Sequence, residues 1–144
     1  MPGGGALREE LVSGNDDTFD LQRFVDAQGD GVFETALAEL EAGRKRSHWM
    51  WFIFPQHRDL GRSPAAKFYG LSGTAEARAY AAHPVLGRRL RAVAGVALSH
   101  LKAGTSAEAI LGPIDAMKLR SSMEIFAEGL PGEPLFGEVL RALG

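Results

Sequence analysis

The chain has 144 residues, 45% of them hydrophobic, which suits one globular domain with a single sizeable core. Sixteen basic against eighteen acidic residues leave a formal net charge of -2. That balance excludes a general nucleic-acid or membrane-surface binder, and the lack of cysteine excludes disulfides, thiolate metal sites and cysteine nucleophiles.

Met1-Pro2-Gly3-Gly4-Gly5 lacks the basic-then-apolar order of a secretory signal. The longest apolar run, Trp49 to Phe54, falls far short of the roughly 20 residues that cross a bilayer. The expectation is a cytoplasmic protein, monomer or homodimer, without cofactor. Residues 1 to 16, rich in glycine, read as a flexible tail, and 17 to 144 as one helical domain.

Asp17 is placed to cap a first helix carrying Leu21, Phe24, Val25 and Gln28. Gly29-Asp30-Gly31 breaks it, and Asp30 is expected to cap a second helix, the two forming an antiparallel hairpin. Phe33, Ala36, Leu37 and Leu40 make the second stripe, Gly43 supplies the stop, and Glu34, Glu39 and Glu41 fall on the solvent side.

The run Gly43-Arg44-Lys45-Arg46-Ser47-His48-Trp49-Met50-Trp51-Phe52-Ile53-Phe54-Pro55-Gln56 comes next. Cations and a histidine lead directly into both tryptophans of the chain. Exposed together, these aromatics would form a large apolar patch, so they must be buried, and burial pins the basic part beside them. Alternation suits a strand buried on both faces, and a short helix capped by Ser47 fits equally well. Helical surroundings favour the helix.

Gln56 to Gly73 reads as a long loop anchored by Phe68, Tyr69 and Leu71. Thr74 is expected to cap a helix ending at His83-Pro84, with His83 as a turn or helix-end residue. From Pro84 a helix runs to Lys102, with Gly95 marking a close helix contact. Thr105 or Ser106 caps a short turn, and helices over 113–128 and 134–143 follow. The sum is an all-α domain of six or seven helices around one long central loop.

Arg44, Lys45, Arg46 and His48 are the densest cationic cluster in the chain. They can serve a helix C-terminus as a solvated face, or hold phosphate or carboxylate with tryptophan stacking on a planar ring. His48 offers a general acid or base, with a backbone-bonded buried histidine as the alternative. Asp115, Lys118 and Ser122 share one helical stripe beside Ile114, Met117, Ser121 and Ile125. That is a pocket wall, or equally a salt bridge beside a small-residue helix crossing. The histidines His48, His57, His83 and His100 are scattered, so no metal site is expected.

Asp20-Leu21-Gln22-Arg23-Phe24-Val25-Asp26-Ala27-Gln28, the central run, Leu60-Gly61-Arg62-Ser63, Glu76-Ala77, His83-Pro84-Val85-Leu86-Gly87-Arg88-Arg89-Leu90 and Asp115-Ala116-Met117-Lys118-Leu119-Arg120-Ser121-Ser122-Met123 follow one another in order. Over about residues 18 to 143 this pattern resembles the bacterial domain-of-unknown-function family numbered 1810. The resemblance implies a mainly helical fold. Glu124 stands where the family pattern has threonine, and the pattern runs on past the position of Gly144. Some members have been labelled calpastatin-like, but disordered inhibitory repeats have no counterpart here. A looser likeness, to helical proteins acting on N-glycosidic or ADP-ribose-type substrates, is analogy of fold alone.

The family pattern spans the basic run and the late helix together, which implies that they converge. The expected pocket holds a small anionic or nucleotide-like ligand, bound by Arg44, Lys45, Gln56, Lys118 and Ser122 with Trp49 or Trp51 stacking. In a hydrolytic enzyme His48 or Asp115 would be the general acid/base. The rival is a non-catalytic interaction or structural module in which these groups form a buried network.

Overall fold

The computed structural model describes residues 17–144, so the expected tail at 1 to 16 lies outside the described residues. Among them the fold is all-α: α1 (Gln22–Ala27), α2 (Val32–Glu41), α3 (Met50–Ile53), α4 (Pro64–Phe68), α5 (Thr74–Ala82), α6 (Leu86–Lys102), α7 (Ala107–Leu111), α8 (Pro113–Gly129) and α9 (Pro134–Leu143). Two helices beyond the expected count come from short segments. The expected long loop holds α4 and a 3-10 turn at Arg58–Leu60, because Ser63 accepts the Ala66 N–H and Pro64 sets the first helical turn.

The long helices α6 and α8 form the frame. Both α5 and α9 pack on the two of them, α2 packs on α6, and α7 on α8. Phe126 of α8 sits at the centre, its ring 5.6 Å from that of Tyr80 and 5.5 Å from that of Phe136. The buried positions of α6 (Leu86, Leu90, Val93, Ala94, Ala97 and Leu98) recur at three- and four-residue spacing, so that helix follows its sequence period.

Polar groups stitch the first helix to this frame. Asp17 is not the cap of α1, whose N-cap is Leu21; its carboxylate accepts the main-chain N–H groups of Leu21 and Gln22 from the preceding turn. Buried Gln28 donates to the Phe52 carbonyl and the Tyr80 hydroxyl, which ties α1 to α3 and α5. Arg23 pairs with buried Glu76 at 2.9 Å, and Glu76 also accepts from the Ser72 N–H and hydroxyl. Glu76 thus closes the start of α5 from the side. Thr74 is its first residue rather than its cap, which is Gly73.

Several local expectations are corrected by packing. Asp30 does not cap α2; it and Gly31 both take positive φ, at 54° and 82°, to turn the chain. Ser47 does not cap α3. Phe68 is exposed rather than an anchor, whereas Leu71 is fully buried. Of the stripe Ile114, Met117, Ser121 and Ile125, Ile125 is buried, but Ile114 and Met117 face outward while α8 also buries Ala116, Leu119, Met123 and Phe126. His83 does act at a helix end: its Nδ1 accepts the N–H groups of Val85 and Leu86 and starts α6.

The close approach expected at Gly95 lies at Gly87. A Cβ at Gly95 would meet open space, while one at Gly87 would collide with the Ala81 carbonyl oxygen at the α5–α6 corner. Gly87→Ala should therefore destabilise by about 1–3 kcal/mol through overpacking. Gly95→Ala should instead stabilise by about 0.5–1 kcal/mol through helix propensity. Urea unfolding of the two variants checks the contrast, and a matching sign for both would refute it.

Candidate functional site

The basic run is held by a residue that sequence placed on the solvent side of α2. The Glu39 carboxylate accepts from the Arg46 N–H (2.8 Å), the Ser47 N–H (3.1 Å), the Ser47 hydroxyl (2.6 Å) and the Trp49 indole N–H (2.8 Å). Burial alone would raise its pKa. The bonds from Ser47, Arg46 and Trp49 outweigh that and hold the carboxyl down at about 2. Upstream, Gly43 ends α2 in the left-handed conformation, as its position after the apolar stripe indicates. The Arg44 N–H then donates to the Glu39 carbonyl, and the Lys45 N–H reaches Ile110 of α7 at 2.7 Å.

Pinned this way, residues 44 to 48 alternate. Arg44, Arg46 and His48 are exposed, while Lys45 and Ser47 turn partly inward. The Lys45 ammonium lies 3.0 Å from one oxygen of Asp115, and Lys118 lies 3.5 Å from the other. The side chains of Lys45, Asp115 and Lys118 are only 11%, 18% and 25% exposed. Each ammonium also sits over an indole, Lys45 at 5.2 Å from the Trp49 ring and Lys118 at 5.3 Å from the Trp51 ring. The basic run and the late helix therefore meet, joined by one carboxylate between two cations and two rings.

This arrangement revises individual residues. Trp49 is 1% exposed, its N–H is bound to Glu39 and its face carries Lys45, so it cannot stack on a ligand. Trp51 is partly exposed but carries Lys118. Ser122 is fully buried, and its hydroxyl has no hydrogen-bond partner among the described residues, so it does not line an open pocket. Gln56 serves through its carbonyl, which accepts the Leu71 N–H at 2.8 Å; no hydrogen bond joins its side chain to Lys45, Asp115 or Lys118. Asp115 has both oxygens engaged by lysines, which leaves it poorly placed as a base.

His48 borders a shallow groove of about 220 Å³ with Asp30, Thr35, Ser47 and the edge of Trp49. No carboxylate is hydrogen-bonded to its ring among the described residues, so nothing orients it for proton transfer. Glu39 is the residue the sequence reading missed. The available signal was its position seven residues ahead of Arg46 on the last turns of a helix that leads into a loop full of N–H donors. Elsewhere, no three His, Asp or Glu side chains among the described residues are grouped to hold a metal ion. No described helix is long and apolar enough to cross a membrane.

Because the folded pKa of Glu39 is depressed, its contribution to stability is complete above the ordinary carboxyl range near 4.5 and is lost as pH falls toward 2. Glu39→Gln should flatten that acid limb of the pH–stability curve. Glu39→Ala should cost about 1–3 kcal/mol at pH 7, since it leaves the part-buried Ser47 and Trp49 donors without their acceptor, and should raise Trp49 fluorescence quenching by acrylamide. An unchanged acid limb in Glu39→Gln would contradict the assignment.

No functionally curated protein matches the chain. A solved structure, that of the conserved hypothetical protein Rv1873 from Mycobacterium tuberculosis, is similar to it, with 48% identity, 87% of each chain covered and a TM-score of 0.82. A family model described as protein of unknown function (DUF1810) matches residues 18–143, nearly the whole of the described chain and the span of the resemblance read from the sequence. With the basic run, the late helix and the all-α frame all inside that span, the chain belongs to the DUF1810 family.

Proposed function

We propose that the protein binds a small anionic ligand, nucleotide-like in carrying phosphate or carboxylate, along the exposed strip Arg44, Arg46 and His48. The observation that carries this reading is the division of labour in the run. Lys45 and Ser47 are spent inward on Asp115 and Glu39, while Arg44 and Arg46 have no side-chain partner among the described residues. Two guanidinium groups held on a pinned backbone are preorganised for bidentate contact with an anion. The groove beside His48 gives such a ligand room to extend. Binding is favoured over hydrolysis, because Asp115 is engaged and His48 lacks an orienting partner.

The test is a thermal-shift screen of phosphorylated metabolites and nucleotides against the wild type and an Arg44→Ala/Arg46→Ala double variant. A ligand at 100 times its dissociation constant should stabilise the wild type by about 2.7 kcal/mol. The double variant should lose most of that gain. Equal stabilisation of both proteins would remove the strip as the site.

One observation favours the rival, a structural or interaction module: the Lys45–Asp115–Lys118 network is paired and largely buried. On that reading Asp115→Asn lowers stability by about 1.5–3 kcal/mol, as for loss of a charge-assisted bond. It would leave any ligand response intact. Chemical denaturation of this variant with and without a screened ligand separates the two roles.

A further inference from the structure

A second group of cations follows the central segment in the chain, in the loop that joins α3 to α5. Arg58, Arg62 and Lys67, with Asp59, Leu60 and Gly61, line an open groove of about 810 Å³. None of the three cations has an ion pair or side-chain hydrogen bond among the described residues. Asp59 is the one carboxylate on the rim, and no lysine or arginine pairs with it among the described residues. Three positive charges line the groove against one negative, and Arg58 and Lys67 also border an adjoining cavity that holds Asp20 and the paired Arg23 and Glu76.

The loop beneath is built rather than slack. Arg58 N–H donates to the Leu71 carbonyl and Leu71 N–H to the Gln56 carbonyl, each at 2.8 Å, so the two ends of the loop are bridged at His57 and Leu71. His57 Nδ1 accepts the Asp59 N–H, and the Ser63 hydroxyl accepts that of Ala66. Two glycines permit the closure. A Cβ at Gly61 would lie 2.7 Å from that of Ala66, and one at Gly70 would collide with the Arg58 main chain. Leu71 is fully buried at the loop's far end. Such a frame fixes the backbone under three long side chains and lowers the entropy lost when they close on a ligand.

We infer that this groove is an anion site for a polyphosphate group, distinct from the strip at Arg44 and Arg46. Its chemistry sets the ligand class. No aromatic ring lines it, so there is no platform for a base, and recognition must run through charge. Two guanidinium forks and one ammonium match the oxygens of linked phosphates better than a single carboxylate, which would occupy only one fork.

Isothermal titration calorimetry with inorganic pyrophosphate, on the full chain at low ionic strength, tests the inference. The comparison uses an Arg62→Ala/Lys67→Ala variant and the Arg44→Ala/Arg46→Ala variant. All four side chains are exposed or unpaired, and matched melting temperatures confirm that both variants fold. The wild type should bind. Losing two charge-assisted contacts should weaken binding at this groove at least about tenfold in Arg62→Ala/Lys67→Ala, whereas Arg44→Ala/Arg46→Ala, which removes any pyrophosphate held by the strip, should keep the groove's own binding step. Absence of pyrophosphate binding to the wild type overturns the inference, as does the same partial weakening in both variants with no binding step removed by either, which marks diffuse attraction. Loss confined to Arg44→Ala/Arg46→Ala also overturns it while leaving the strip as an anion site.

Discussion

A single carboxylate sets the arrangement of the functional face. Glu39 lies near the end of α2, and the four donors it binds belong to the next seven to ten residues of chain. Without a partner, the part-buried Ser47 and Trp49 donors would be left unsatisfied at a cost. With Glu39 they close into a compact corner that commits Trp49 to the core. Once Trp49 is placed, Lys45 falls over its ring and onto Asp115, and α8 becomes the second wall of the corner. The corner thus joins three elements through electrostatics that are largely shielded from water.

The corner also sorts charges by their distance from solvent. Inner cations are matched, Lys45 and Lys118 by Asp115 and Arg23 by Glu76. Outer cations on the two flanking segments have no side-chain partner among the described residues, Arg44 and Arg46 before the aromatic run and Arg58, Arg62 and Lys67 after it. Desolvation explains the inner half of this sorting, because a buried charge needs a partner. Nothing in folding requires the outer half. Surface positions in a chain of nearly balanced charge accept either sign.

How much of this was legible in the sequence differs by element. The late helices were readable because their signals are local: Pro113 and Pro134 occupy first turns, and α9 ends where the expected helix did. The Lys45–Asp115 meeting was reached through family resemblance and through the demand that the aromatics be buried, not through spacing. Glu39 was misread because helical periodicity places it opposite the stripe of Phe33, Ala36 and Leu40, and periodicity cannot see a loop that folds back over that side. The stripe of Ile114 and Met117 failed for the related reason that an apolar residue on a helix face need not have a neighbour to pack on.

By itself the sequence determined the all-α class, most helix starts and stops, the burial of the aromatic run and the presence of charge beside it. These follow from side-chain period, caps and glycine or proline punctuation, which act within a few residues. Only the tertiary structure decided which cations are neutralised and which face water, which glycine stands under a neighbouring carbonyl, and whether an indole is open to a ligand. Those outcomes depend on which atoms from distant parts of the chain arrive within about 3 Å of one another, and hydrogen bonds and ion pairs are made or lost over that distance.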